Sequence, residues 1–215
     1  MKNICITGAN GFIGRSLCKA LGSSGNYIRG FVRNRNLNKD YSEIEYITVG
    51  DIGPMVNWKE HLKGCDCIIH CAGKTLKMND KNLNLYHTVN TEGTKHLAMH
   101  ASEAGVKRIV FLSSIKVNGE SSDIINEQKK LYYNDIPFSL DAYAASKLEA
   151  ENALWEISSI KGLEVVVVRL PLVYGHGVKG NLERLIKLVK SGIPLPLSLV
   201  KNQRSMIGID NLVDL

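Results

Sequence analysis

The sequence predicts an α/β fold, a doubly wound parallel sheet followed by a small C-terminal part. Three observations predict it. Apolar runs of strand length alternate with segments of helical period along the whole chain. The strands are near-continuous apolar runs, as in a parallel sheet covered on both faces. The first strand runs straight into a glycine-rich turn that opens a helix.

The elements follow in order. Residues 3–8, "NICITG", form a short apolar strand ending in glycine. Residues 11–25 have helical period through Ile13, Leu17 and Leu21, with a Gly/Ser stop. Strands are predicted at 27–33 and 44–52, a short helix at 58–64, and a strand at 65–73, "CDCIIHCAG". A helix over 90–105 closes at Gly105, and "RIVFLSS" at 108–114 is the next strand. A long helix is predicted over 140–158, a strand over 163–175 and a helix over 182–192. The stretch 119–139 has no regular period, and loops that long in compact domains are usually functional.

The chain has 215 residues, 44% of them hydrophobic and 22% charged, which suits one large domain, or one domain and part of a second. The net charge of +6 is mild and scattered, apart from the pairs Arg33/Arg35 and Lys129/Lys130. No basic stripe with interleaved aromatics argues for nucleic acid. No stretch approaches the roughly 20 apolar residues of a membrane span, and no signal-peptide layout opens the chain. A cytoplasmic protein is expected. The five cysteines lack paired metal-ligand spacing and read as small buried fillers in a reducing compartment. His96 and His100 lack the Glu of a zinc peptidase helix, so no metal site is expected.

"TGANGFIG" (7–14) spaces its glycines G-x-x-G-x-x-G. Between a strand and a helix, such a loop brings a dinucleotide's pyrophosphate to helix N–H groups and the positive end of the helix dipole. Gly8 serves the tight turn, Gly11 the approach to phosphate, and Gly14 the close packing of helix on strand. Asn10, Phe12 and Ile13 complete the loop. The alternative is a glycine turn that binds nothing. The second strand ends Val32-Arg33 where an NAD-binding fold usually has an acid. Arg33 therefore favours NADP, with NAD as the alternative, or else simply starts a solvated loop. Asp51, followed by Ile52, is placed to accept from an adenine amino group. Cys71, Ala72 and Gly73 would pass the middle of the cofactor.

"YAASK" puts Tyr143 and Lys147 at i and i+4 on one helix face. A free tyrosine is a poor base at neutral pH, and a nearby ammonium stabilises its phenolate. Tyr143 can then move a proton at a carbinol oxygen while hydride moves at carbon. Ser114, at the end of the fifth strand, can hold the same oxygen. Alone, Tyr-x-x-x-Lys is more often a solvated helix face.

In order, "TGANGFIG", "GDI", "HCAG", "NTEGT", "LSSIKVNGE", "YAASK", "RLPLVYG" and "RSMIGIDNL" resemble the extended short-chain dehydrogenase/reductases acting on nucleotide sugars. The resemblance implies a Rossmann domain over 1–175 and the start of an incomplete substrate-binding part over 176–215. It implies Ser114, Tyr143 and Lys147 as the catalytic set, Asn90 as its support, and Pro171, Tyr174 and Gly175 of "PLVYG" beside the nicotinamide, with Val173 also toward the cofactor. Lys74, Ser114, Lys116, Asn181 and Arg204 are implied on the substrate side, with Arg204 gripping a diphosphate. The sugar 4,6-dehydratases of this family carry Asp-Glu after the Ser/Thr; Ile115 and Lys116 stand there instead, which argues against dehydration. Asn118 replaces the usual Tyr of "VYG". "SSIKVNGE", followed later by "PLPL" and "RSMIGIDNL", resembles reductases of UDP-4-keto-6-deoxy-N-acetylhexosamines and related 4-epimerases. A UDP-sugar substrate and a homodimer through helices 90–105 and 140–158 are expected from the resemblance. The alternative of another class is a non-catalytic NADP sensor or scaffold.

Overall fold

The computed structural model describes every residue except 35–43, 76–81, 120–131, 133–134, 136, 139–140, 193 and 195–203. The chain divides into two compact units, Met1–Arg169 and Leu170–Leu215.

In the first unit six strands form one sheet: β1 (Asn3–Thr7), β2 (Tyr27–Val32), β3 (Ile44–Thr48), β4 (Cys67–His70), β5 (Arg108–Ser114) and β6 (Glu164–Leu170). Their order is β3-β2-β1-β4-β5-β6, so the chain fills one half of the sheet and then the other. The ladders around β1 are parallel and pair Thr7 with His70 at the switch between the halves. Parallel α/β sheets take ligands outside the carboxyl ends of their strands at such a switch. The flanking helices are α1 (Phe12–Ser23), the short α2 (Asn84–Tyr86), α3 (Gly93–Glu103) and α4 (Ala142–Lys161). Trp58, Phe31, Leu62, Ile68, Leu97, Phe111 and Leu154 are fully buried in one core cluster. The doubly wound fold read from the sequence is the fold observed.

Several predicted boundaries move. Residues 58–64 are a chain of turns rather than a helix, because Trp58 and Leu62 both point into the core and Gly64 ends the segment at φ 71°. The helix predicted from residue 90 begins at Asn84 and passes through a π-helical turn, His87–Glu92, before α3. The strand predicted over 163–175 breaks at Pro171, which has no N–H to donate to a ladder. Its second half is β7 (Leu172–Tyr174), in the second unit. There it pairs in parallel with β8 (Met206–Gly208). That unit also contains α5 (Asn181–Lys190) and α6 (Ile209–Asp214). Most of 119–139 lies outside the described residues.

Candidate active site

The glycine loop joins β1 to α1. Gly8 sits at φ 65°, in the left-handed region that side chains disfavour, and a Cβ there would lie 3.0 Å from the backbone of Ala72. A Cβ on Gly14 would collide with the Gly8 carbonyl oxygen, so the first turn of α1 lies directly on the loop. Gly11 is the N-cap of α1, no side chain caps that helix, and its first turn carries no acid. An anion meets N–H groups and a favourable dipole at such an end. Asn10, Phe12 and Ile13 lie in the same turn, with the Asn10 carbonyl accepting from Arg15.

Beyond β2 and β3, Arg33 and Asp51 form an ion pair of 2.7 Å, with side chains 71% and 77% exposed. The sequence reading assigned them to different parts of one ligand; here they hold each other. Arg35 lies outside the described residues. Ile52 packs on the core, and the missing side chain of Gly93 makes room for it.

Cys71, Ala72 and Gly73 follow β4. A buried chain of hydrogen bonds fixes them. The Ala72 N–H donates to Thr7 Oγ1 (3.0 Å), which lies 2.7 Å from His70 Nδ1. His70 Nε2 is 3.0 Å from Thr94 Oγ1, whose hydroxyl donates to the Asn90 carbonyl. The bonds are all satisfied when His70 is neutral with its proton on Nε2. Burial, aided by the nearby Lys147 charge, pushes the His70 pKa down to about 3. The Cys71 thiol is pushed up by burial.

Asn90 lies on the π-helical turn. Its Oδ1 accepts from the Lys74 N–H (2.7 Å), and its Nδ2 donates to the Lys74 carbonyl (3.1 Å) and to Ser146 Oγ (3.0 Å). Ser146 in turn donates to the Tyr143 carbonyl, so Asn90 links the strand after β4 to the first turn of α4. The Lys74 ammonium lies 5.0 Å over the Tyr86 ring, and Tyr86 meets Tyr143 edge-on at 6.2 Å.

Asp141 starts α4 by accepting from the Ala144 N–H at 2.7 Å, which places Tyr143 in the first turn. Ser114 ends β5 and hydrogen-bonds Tyr143. Ser114 Oγ also accepts from the Lys116 N–H at 3.3 Å, and the Lys116 ammonium pairs with Asp141 at 3.1 Å. Burial raises the Tyr143 pKa, while the Ser114 hydrogen bond and the Lys116 charge pull it back. In the protein alone burial prevails, so Tyr143 is poised as an acid; the phenolate expected from the sequence needs further positive charge. Lys147 is buried with its ammonium 4.1 Å over the Phe111 ring. Burial lowers its pKa to about 8, against the raising influence of Cys71 and Glu151.

The structure therefore gathers Gly8, Gly73, Asn90, Ser114, Tyr143 and Lys147 at the carboxyl ends of β1, β4 and β5. Pro171, Val173, Asn181 and Arg204 belong to the second unit. Val173 pairs with Ile207, Asn181 opens α5, and exposed Arg204 precedes β8. Sequence reasoning missed the chain through Thr7, His70 and Thr94, the Asp141 cap and buried Glu151. Polar residues on otherwise apolar elements were the available signal. Among the described residues no group of three or more His, Cys, Asp or Glu gathers as metal ligands, and no helix is long and apolar enough to cross a membrane.

The sequence profile described as the NAD dependent epimerase/dehydratase family matches residues 4–215. A UDP-glucose 4-epimerase of Vibrio cholerae is 42% identical over all of this chain. An N-acetyl-alpha-D-glucosaminyl-diphospho-ditrans,octacis-undecaprenol 4-epimerase of Escherichia coli O157:H7 is 26% identical over 99% of it. The chain spans 65% and 61% of those two proteins' own lengths. A solved structure of MoeE5 with UDP-glucuronic acid and NAD superposes with a TM-score of 0.84 at 26% identity, over 99% of this chain and 70% of that one.

Proposed function

We propose that this chain, which belongs to the NAD dependent epimerase/dehydratase family, carries the redox half of an enzyme that acts at C4 of a UDP-sugar. The observation that carries the reading is the convergence of Ser114, Tyr143 and Lys147 at the switch of the sheet, beside the glycine loop. The loop fits a dinucleotide: without side chains, Gly8 lies close against the backbone of Ala72 and Gly14 brings the first turn of α1 directly onto the loop, and that end of α1 is uncapped. Gly8, Gly11 and Gly14 would hold the phosphates, with Ala72 and Gly73 along the middle. Bound there, a nicotinamide dinucleotide supplies the hydride acceptor and donor.

Ser114 holds the C4 oxygen of the sugar with its hydroxyl. Tyr143 takes the proton from that oxygen when C4 is oxidised and returns it when C4 is reduced. Lys147 favours the phenolate that Tyr143 must be before it takes the proton and becomes again when it has given the proton back. Asn90 keeps the turn at Lys74 and the first turn of α4 in place.

Epimerisation is the first reading, on the strength of the 42% identical 4-epimerase. Reduction of a UDP-4-keto-6-deoxy-N-acetylhexosamine is the second, favoured by "SSIKVNGE" with Ile115 and Lys116 where dehydratases hold acids. The dinucleotide is read as NAD, since Asp51 already engages Arg33. NADP is the second reading, favoured by the exposure of that guanidinium. A homodimer through α3 and α4 is part of the proposal, supported by the exposure of Met99 and Trp155 there.

The test uses the full-length protein with UDP-sugars, following the absorbance of reduced nicotinamide. An epimerase turns over without net loss of cofactor; a reductase consumes it one-for-one with a 4-keto sugar. Tyr143→Phe is expected to lower kcat by about 10²–10⁴-fold in either case. Full activity in that variant would overturn the role given to Tyr143, and no turnover of any UDP-sugar by the wild type would overturn the enzyme reading, leaving a dinucleotide-binding scaffold.

A further inference from the structure

Behind the catalytic residues lies a second polar cluster that the reaction above does not use. Glu151 follows Lys147 by one turn of α4 and is 1% exposed. Arg169, at the end of β6, grips its carboxylate: Nη2 donates to Oε2 at 2.7 Å, and Nε lies 3.1 and 3.2 Å from the two oxygens. The Ser113 hydroxyl, next to Ser114, donates to Oε1. Arg169 also donates from Nη1 to Asn118 Oδ1 at 3.2 Å, tying in the turn after β5. One carboxylate thus joins β5, the following turn, α4 and β6, immediately behind Ser114 and Lys147.

A carboxylate with four hydrogen bonds from three donor groups on two residues is held in one place. Among the described residues, the Lys147 ammonium meets the Phe111 ring from β5, and neutral His70 on β4, the Cys71 thiol just after it and Glu151 one turn along its own helix act on its charge. Cys71 is held as the neutral thiol by burial and His70 as the neutral imidazole. Glu151 is the one carboxylate among these, and Arg169 grips it.

We propose that Glu151 is a positioning residue: clamped by Arg169 and Ser113, it serves as the buried counter-charge that keeps the Lys147 ammonium charged beside Tyr143. This rests on the catalytic reading of Tyr143 and Lys147 above. The two fail separately, because the coupling is readable without substrate.

The direct measurement is the pH titration of lysine side chains by NMR of protein labelled at Cε, with Lys147→Met assigning the resonance. Wild type is expected to titrate near 8. Glu151→Gln keeps size and loses charge, and its Lys147 midpoint should fall by about one pH unit. Glu151→Asp keeps the charge and should stay within about half a unit of wild type. If Glu151→Gln fails to fold, Glu151→Gln/Arg169→Gln leaves no unpaired charge and should still titrate below wild type, by less. The alkaline limb of kcat/KM should move with the Lys147 midpoint in each variant. A folded, charge-less variant titrating at or above wild type, or an Asp variant shifted as far as Gln, overturns the proposal. Shifted lysine titration without any UDP-sugar turnover would sink the activity reading and leave this one standing.

Discussion

Two arginine–carboxylate pairs in this chain have the same closest distance and opposite surroundings. Arg169–Glu151 closes to 2.7 Å with side chains 23% and 2% exposed. Arg33–Asp51 closes to 2.7 Å with side chains 71% and 77% exposed. A contact in water exchanges with solvent and salt at little cost. A buried one must satisfy nearly every lone pair, and the loss of one partner strands a charge. The buried pair is therefore an architectural fixture behind the proposed catalytic residues, while the exposed pair is a contact that a ligand can rearrange.

The largest effect is expected where the buried pair is broken. Arg169→Met leaves the Glu151 carboxylate without its bidentate partner and should cost about 3 kcal/mol of stability, measured by denaturant unfolding near neutral pH. A cost under about 1 kcal/mol would mean that this pair behaves like a surface one, and the contrast would collapse.

Lys147 sharpens the contrast from the other side, as a buried cation that no carboxylate meets in a direct salt bridge among the described residues. Its pKa falls from the ordinary 10.5 to about 8 on folding. Below about 8 both folded and unfolded chains hold the proton, and folding carries the full burden of the buried charge. Between about 8 and 10.5 the unfolded chain binds more protons, so wild-type stability rises with pH. Lys147→Met should thus be more stable than wild type by about 3 kcal/mol at pH 7, and this gain should vanish toward pH 10.5. Unfolding midpoints across that range check it. A gain that does not shrink with pH would assign the effect to packing instead.

The same contrast explains what was legible in the sequence. The sheet could be read because apolar strands alternate with helices, and the glycine loop, Ser114, Tyr143 and Lys147 could be read because each follows a strand or opens a helix. Glu151 and Arg169 were hidden because their partnership spans α4 and β6, and no local spacing records it. His70 was hidden inside an apolar run, since its hydrogen bonds run to Thr7 and Thr94, residues far apart in the chain. The π-helical turn at Asn90 was hidden because periodicity gives a helix without its pitch. The turns at 58–64 were misread because Trp58 and Leu62, spaced i and i+4, mimic a helix face while plugging the core. Arg33 and Asp51 were visible as residue types, but their mutual contact across β2 and β3 was not.

That exposed contact gives the smallest expected effect on the fold and the most informative one on the ligand. Arg33→Ala should change stability by no more than about 1 kcal/mol, because both side chains are largely in water. Binding of the two dinucleotides to the full-length protein separates the possible roles of the guanidinium. If Asp51 keeps Arg33 to itself, the variant should bind NAD about as well as wild type and discriminate against NADP no less. If Arg33 leaves Asp51 for a 2′-phosphate, wild type should bind NADP more tightly at low salt, and Arg33→Ala should lose that preference by about ten-fold or more, the scale of one charge-assisted contact. The exposed pair would then be a switchable contact in the strict sense, with its carboxylate holding the place that the phosphate takes. Calorimetric titration of both cofactors at two salt concentrations decides between the outcomes.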